Sequence, residues 1–506
     1  MNRELKFSKY YSGTAAFFIV LAILLRIIGY FRSTSFFLDE LNVARNVAEK
    51  NYWEMFFPLK YEQYAPPFFM QLVKGSADIF GYSEDGLRLV PMLAGIGSLI
   101  AFYGVLRRFF DNLLLLYPLV LFIFNFYLYQ QGMALKQYPL DVLMTCIWLY
   151  LVTPAPSFSA RQLVFYSLFG MVSVWLSMPM VFILVGVGFY FLHQRWMNIK
   201  ANPYKKAVTF QSFLPVLLVI GSWLISFGVL FWVNLRHGIQ TDGLQQYHTD
   251  FFLEMPFSFI QIQQSFEVIV SIFRAIVGKT GLAIAWAIGC SVLGIYQVGK
   301  LNKGWLILLI LPVGACFLAS LLHYYSLIIR LTLFLFPIIL ILMGFGVQFL
   351  VRKINFASPL LYRAYLTILL FLMAFSCLHR NALPYLWTEY VRAQPRDVLE
   401  LLAKSPQRTL PLYVTSGGVP AHDFYTKNYA QPIVINSLSI IYGDWNDNLH
   451  QLAEEWKKQG IRQIWLFDNH TFGETKAKMD ADIHQIAHIE IQLEKVFSRA
   501  YLLTLK

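Results

Sequence analysis

Residues 14–31 read TAAFFIVLAILLRIIGYF and residues 36–44 read FFLDELNVA. The first stretch is an apolar run close to the length that a hydrocarbon core of about 30 Å requires. The second places two adjacent carboxylates, Asp39 and Glu40, just past its end, between Phe36-Phe37-Leu38 and Leu41-Asn42-Val43-Ala44. Ionisable groups at a membrane boundary, in an apolar setting able to move their pKa values, are the first candidates for an active site. The plain structural alternative is a helix cap, since Asp is a good N-cap for a helix starting near Leu41.

The 506-residue chain is 57% hydrophobic and 14% charged, with a mean hydropathy of +0.52, which excludes a water-soluble protein and defines a polytopic membrane protein. Apolar runs at about 11–31, 88–106, 113–130, 136–153, 161–177, 179–193, 210–233, 281–299, 305–322, 327–350 and 361–378 give about eleven spans. Only Met178-Pro179 divides the fifth from the sixth.

The net charge of +12 does not point to nucleic acid. From Arg380 onward 14 Lys and Arg balance 14 Asp and Glu, so the excess belongs to the hydrophobic part. There it recurs in short connections: Arg107-Arg108, Arg161, the cluster Arg195, Lys200, Lys205 and Lys206, Lys300 with Lys303, and Arg352-Lys353. With the N-terminus inside, each of these falls on the inner side, as the positive-inside rule asks. An odd number of spans then sends the acidic pair and the C-terminal tail outside. Cys146, Cys290, Cys316 and Cys377 lie in or at the ends of apolar runs without metal-ligand spacing and read as free core residues. Arg26, inside the first run, is expected to snorkel outward.

Two outer loops, about 32–87 and 234–280, mix aromatic and charged residues in the manner of short amphipathic helices at an interface. Such loops suit an enzyme that holds a lipid head group at the surface. After the membrane part, residues 1–379, the texture becomes that of a soluble α/β domain, 380–506. Strands are expected at Leu410 to Thr415, Ile461 to Phe467 and Ala500 to Leu505, and a helix from Asn446 to Gln459. Asp468 and His470 follow the second strand as turn residues and read as non-catalytic, because no serine or cysteine nucleophile has a recognisable context beside them.

A basic N-terminus, one span and then Asp39-Glu40 resembles the membrane-embedded GT-C glycosyltransferases of the family-39 type, which include dolichyl-phosphate-mannose protein mannosyltransferases and bacterial lipid A aminoarabinose transferases. The likeness continues through Tyr61-Glu62-Gln63-Tyr64-Ala65-Pro66-Pro67, Gly86-Leu87-Arg88-Leu89, Leu135-Lys136-Gln137-Tyr138-Pro139-Leu140-Asp141 and Arg330 with Phe336-Pro337. It reaches the tail at Pro411 to Val414, Phe424-Tyr425 and Ile464-Trp465-Leu466.

The resemblance implies an inverting transferase that takes a monosaccharide from a polyprenyl-phosphate donor to a glycan, lipid or protein acceptor. The reaction would take place on the outer side of a bacterial cytoplasmic membrane, among membrane lipids and with no nucleic acid. Asp39 would be the general base. Glu40 would help it, by orienting the acceptor or through a bridging divalent cation. Lys136, Arg330 and Arg88 would hold the donor phosphate, and Glu62, Tyr64, Gln137 and Tyr138 would line the substrate pocket.

Aminoarabinose transferases carry an acidic and a basic residue directly before the two prolines, where this chain has Tyr64 and Ala65. Many relatives also have an acid where this chain has Ala134. The resemblance therefore carries no particular sugar. Two other readings fit the spans and interfacial cations: a flippase for lipid-linked sugar, which would show inverted repeats not apparent here, and a polymerase or ligase using a lipid-pyrophosphate donor.

Overall fold

The computed structural model describes residues 2–32, 35–110, 113–201, 210–237, 248–353, 393–444, 447–471 and 473–506, with side chains from Gly13 onward. The expected span at 361–378, Cys377, Lys205 and Lys206 lie outside the described residues.

The chain begins with α1 (Asn2–Phe31), α2 (Leu38–Glu49), α3 (Pro67–Phe80) and α4 (Glu84–Phe109). The long apolar runs fold as helices because a backbone in lipid must satisfy its own hydrogen bonds. Between α1 and α4 the chain forms the two short helices expected of an amphipathic loop, with Pro67 opening α3 and Ser83 capping α4 through the Gly86 N–H.

The third expected span is broken. Leu113–Ile123 and α6 (Phe126–Gly132) meet at a bend of 54°, where Asn125 caps α6 and its amide donates to the Ala275 carbonyl at 2.8 Å. The helical part at 116–123 is α5. Next come α7 (Tyr138–Val152), α8 (Ala160–Leu176), α9 (Met180–Lys200) and α10 (Leu214–Val233). The turn at Ser177-Met178-Pro179 does divide α8 from α9.

Residues 234–280 differ from expectation, since they contain a 19-residue helix, α11 (Phe259–Val277), that is long and apolar enough to cross a membrane. Gln261, Gln263, Gln264 and Glu267 lower the hydropathy of this stretch and disguise it as loop. Then follow α12 (Gly281–Leu301), α13 (Lys303–Leu321) and α14 (Ile329–Lys353). Among the described residues eight helices meet the length and composition test for a span, nine with the bent pair counted, and α7 and α8 are shorter apolar helices.

Small residues set the closest crossing. A Cβ on Gly294 would lie 1.9 Å from the Leu342 carbonyl oxygen, and one on Gly346 would lie 1.9 Å from that of Cys290. The α12 and α14 backbones therefore touch where only glycine fits, as in tight pairs of membrane helices. Arg26 does not snorkel: it is 2% exposed, and its Nε lies 3.9 Å from where a Cβ on Gly95 would be. Cys146, Cys290 and Cys316 are buried and free.

The C-terminal domain, expected on the outer side, opens with α15 (Pro395–Lys404) and carries a five-stranded sheet in the order β2-β1-β3-β5-β4. The strands are β1 (Leu412–Val414), β2 (Ile440–Tyr442), β3 (Gln463–Asn469), β4 (Ala487–Lys495) and β5 (Ser498–Leu505). β1 pairs in parallel with β2 and β3, and β5 is antiparallel to β3 and β4. The expected strands are β1, β3 and β5, and the expected helix is Leu449–Lys458. A buried layer of Tyr413, Trp456, Ile464, Leu466 and Leu503 joins sheet to helices.

This domain is bolted to the start of α4. Glu84, 3% exposed, accepts hydrogen bonds from Tyr425 (3.0 Å), Tyr429 (2.7 Å) and Arg396 (3.0 Å). The Tyr425 hydroxyl in turn accepts from the Phe36 N–H at 2.8 Å, Arg45 pairs with Asp423 at 2.9 Å, and the Phe36 and Phe424 rings meet edge-on at 5.5 Å. The segment leading into Asp39 is thus clamped on both sides.

Candidate active site

Asp39 and Glu40 occupy the first turn of α2, where the unpaired backbone N–H groups of a helix start favour carboxylates. A helix turns about 100° per residue, so neighbours in sequence face different surroundings. Glu40 turns inward and is 1% exposed. Its Oε1 accepts from Arg88 Nε at 2.9 Å and from the Leu135 N–H at 2.7 Å. Its Oε2 accepts from the second Arg88 donor at 2.9 Å and from the Phe37 N–H at 3.2 Å. The guanidinium also lies over the Phe36 ring, 4.6 Å from its centroid.

This arrangement differs from two expectations. Both Glu40 oxygens accept from Arg88 and from backbone N–H groups, which turns Glu40 away from the open side that Asp39 presents. Arg88, 4% exposed and engaged bidentately, is not placed to hold a donor phosphate. The pair instead ties α2, α4 and the turn before α7 into one rigid corner.

Asp39 turns outward, with its side chain 36% exposed, and accepts from Arg330 on α14 at 3.0 Å. Lys136, on the turn before α7, is the second cation acting on it and donates to Gln63 Oε1 at 2.9 Å. Partial burial would raise the Asp39 carboxyl. Lys136 and Arg330, with a smaller contribution from His470, outweigh that and hold it below its ordinary value. His248, close enough to Arg330 to feel its charge, is pushed down by burial and by that charge, and hydrogen-bonds Ser326 at 3.1 Å.

The other expected residues divide. Gln137 donates to the Tyr64 carbonyl at 3.4 Å, which brings Gln137 and Tyr64 to the same edge as Lys136. Tyr138 is buried at the start of α7 and belongs to the core. Glu62 is exposed and, like Tyr61, adopts a left-handed backbone conformation with φ of 51°. That sharp turn presents Gln63, not Glu62, to Lys136. Nothing in the residue types flagged Gln63, because its role comes from the turn.

Among the described residues no three His, Cys, Asp or Glu side chains gather as metal ligands. Around Asp39 one carboxylate meets two cations, a balance that leaves room for a further anion.

No protein-family model and no curated protein sequence matches the chain. Among solved structures it resembles ArnT from Cupriavidus metallidurans in the apo state, with a TM-score of 0.56 at 12% identity over 97% of this chain and 98% of that one. The same protein bound to undecaprenyl phosphate gives a TM-score of 0.54 at 11% identity, again over 97% and 98%. Identity this low speaks to architecture. That shared architecture makes this chain a polytopic membrane protein of the GT-C fold.

Proposed function

We propose that this chain is an inverting glycosyltransferase that takes a monosaccharide from a polyprenyl-phosphate donor to an acceptor hydroxyl on the outer side of a bacterial cytoplasmic membrane. One observation carries the reading: a carboxylate kept ionised at a half-open edge and flanked by Arg330 and Lys136, which can receive an anion. The likeness to a fold solved with undecaprenyl phosphate supports it.

In this reading Asp39 accepts the acceptor's proton as the acceptor oxygen bonds the anomeric carbon. The bond to phosphate breaks on the opposite face, and its electron pair leaves with the lipid phosphate. A phosphate leaving group needs cations more than a strong acid, and Lys136 and Arg330 would meet the growing charge. Arg330 would release part of its hold on Asp39 as the phosphate arrives, which frees the carboxylate for the acceptor.

The test is to embed the purified protein in nanodiscs with undecaprenyl-phosphate monosaccharides and follow release of undecaprenyl phosphate. Release that depends on Asp39 and on Arg330 is the expected result. Full activity in Asp39→Asn overturns the assignment.

A further inference from the structure

The outer domain reaches the Asp39 cluster at a turn built with unusual care. β1 and β3 lie side by side, while the chain leaves β1 for β2 on one flank and leaves β3, by way of a helix, for β4 at the far edge of the other. In sheets of this kind the crevice at the carboxyl ends of such a strand pair is where function collects. Here β3 runs out into Asp468-Asn469-His470.

Asp468 accepts from Thr415 (2.8 Å), Thr471 (2.7 Å) and Arg499 (2.9 Å), and Asn469 accepts from Ser498 at 2.7 Å. The His470 N–H donates to the Phe497 carbonyl at 2.9 Å, with φ of 69°, a left-handed conformation uncommon for residues other than glycine. A Cβ on Gly417 would lie 2.3 Å from the Asn469 carbonyl oxygen, so that glycine lets the turn seat against the end of β1. All of this fixes one half-buried ring. It packs edge-on against Phe37, two residues before Asp39, with centroids 4.6 Å apart, and lies close enough for its charge to act on Asp39.

We propose that His470 is a positioning and proton-relay residue for Asp39, which makes the outer domain part of the reaction centre. The proposal rests on the reading of Asp39 as general base. The acceptor proton passes to Asp39 as the new glycosidic bond forms and the bond to the lipid phosphate breaks. The Asp39 carboxyl, 36% exposed, then passes that proton by way of solvent at its open side to a ring nitrogen of neutral His470, and the imidazolium returns it to bulk water. Carboxylate and neutral imidazole are restored, with no other reactant consumed.

The charges agree with this direction of transfer. Burial holds His470 below the ordinary histidine value against the opposing pull of Asp39 and Asp468, so the ring is neutral near pH 7 and, once protonated, readily gives the proton up to solvent. Asp468 is partly neutralised by Arg499, while Lys136 and Arg330 make Asp39 quick to give a proton up.

The experiment uses the full chain in nanodiscs with undecaprenyl-phosphate monosaccharides, reading undecaprenyl phosphate release across pH 5 to 9 in wild type, His470→Asn and Asp39→Asn. Asparagine tolerates the left-handed backbone, so it removes the ring and keeps the turn. His470→Asn should lower kcat about tenfold to a hundredfold with an unchanged KM for donor, and should abolish the loss of rate that wild type shows as His470 protonates on acidification. In parallel, NMR of 13C-histidine-labelled protein should show the His470 titration moving to lower pH in Asp39→Asn, which lacks the negative neighbour.

If His470→Asn keeps the wild-type kcat and pH profile while Asp39→Asn is dead, the relay is wrong and the glycosyltransferase reading stands. If Asp39→Asn is fully active, that reading itself fails. A His470 titration unmoved by Asp39→Asn overturns the coupling whatever the turnover.

Discussion

Two neighbouring regions handle carboxylates in opposite ways. In the seam formed by Glu40, Arg88, Glu84, Arg396 and the tyrosines of the C-terminal domain, each acid is sealed from solvent and matched by donors to both oxygens. At the start of α2, Asp39 keeps an open side and is acted on by two cations, Lys136 and Arg330. A closed, matched network holds parts together, whereas a carboxylate with an open side can meet a substrate. In the proposed reading the contrast separates structure from function between two residues that adjoin in the sequence.

The largest effect should come from breaking the sealed side. Glu40→Ala leaves the Arg88 guanidinium buried without its partner, a loss of about 3–5 kcal/mol, and the melting temperature in detergent should collapse or the protein fail to accumulate. If Glu40→Ala is as stable as wild type, the closed network is not holding the corner.

Asp39→Asn should do the reverse, lowering turnover by about a hundredfold to ten-thousandfold with a fall in melting temperature much smaller than that of Glu40→Ala. Glu84→Gln lies between. It weakens the three contacts to the outer domain by about 1–3 kcal/mol, so limited proteolysis should cut between the two parts faster than in wild type.

The pH dependence sharpens the comparison further. The Asp39 carboxyl is held lower in the fold than in the unfolded chain, so its stabilising share is present at neutral pH and is lost only as pH falls through the folded value. Arg330→Gln should therefore move to higher pH the limb of the rate profile that Asp39 sets, which is separate from the one set by His470 and persists in His470→Asn. Smallest is Gln63→Ala, which unties Lys136 and should raise the donor KM about threefold, on the order of one hydrogen bond.

Much of this was legible in residues read one after another. Long apolar runs, basic connections and Asp39 at a boundary each carry their meaning locally, and so do Arg330 and Lys136 once topology puts them on one side. What was not legible depends on distance or direction. Glu40 and Arg88 stand 48 positions apart, and only packing chooses between a phosphate and a carboxylate as the arginine's partner.

Gln63 gains its place from two left-handed residues before it, neither of them glycine. β4 hides because an edge strand shows charged residues on its exposed face and follows Gly473–Ile486 without a break. His470 reads as a turn residue, which it is; that the turn faces Phe37 belongs to the docking of the domain.

The clamp on Glu84 sets an order of events during synthesis. Glu84, Arg45 and the Phe36 N–H belong to the first fifth of the chain, and their partners, Arg396, Asp423, Tyr425 and Tyr429, belong to the last quarter. For most of the time the ribosome needs to make this protein, the early helices must sit in the bilayer with those three groups waiting. A chain that ends early lacks every one of these partners, so the corner that holds Asp39 closes only when the last quarter of the chain has been made.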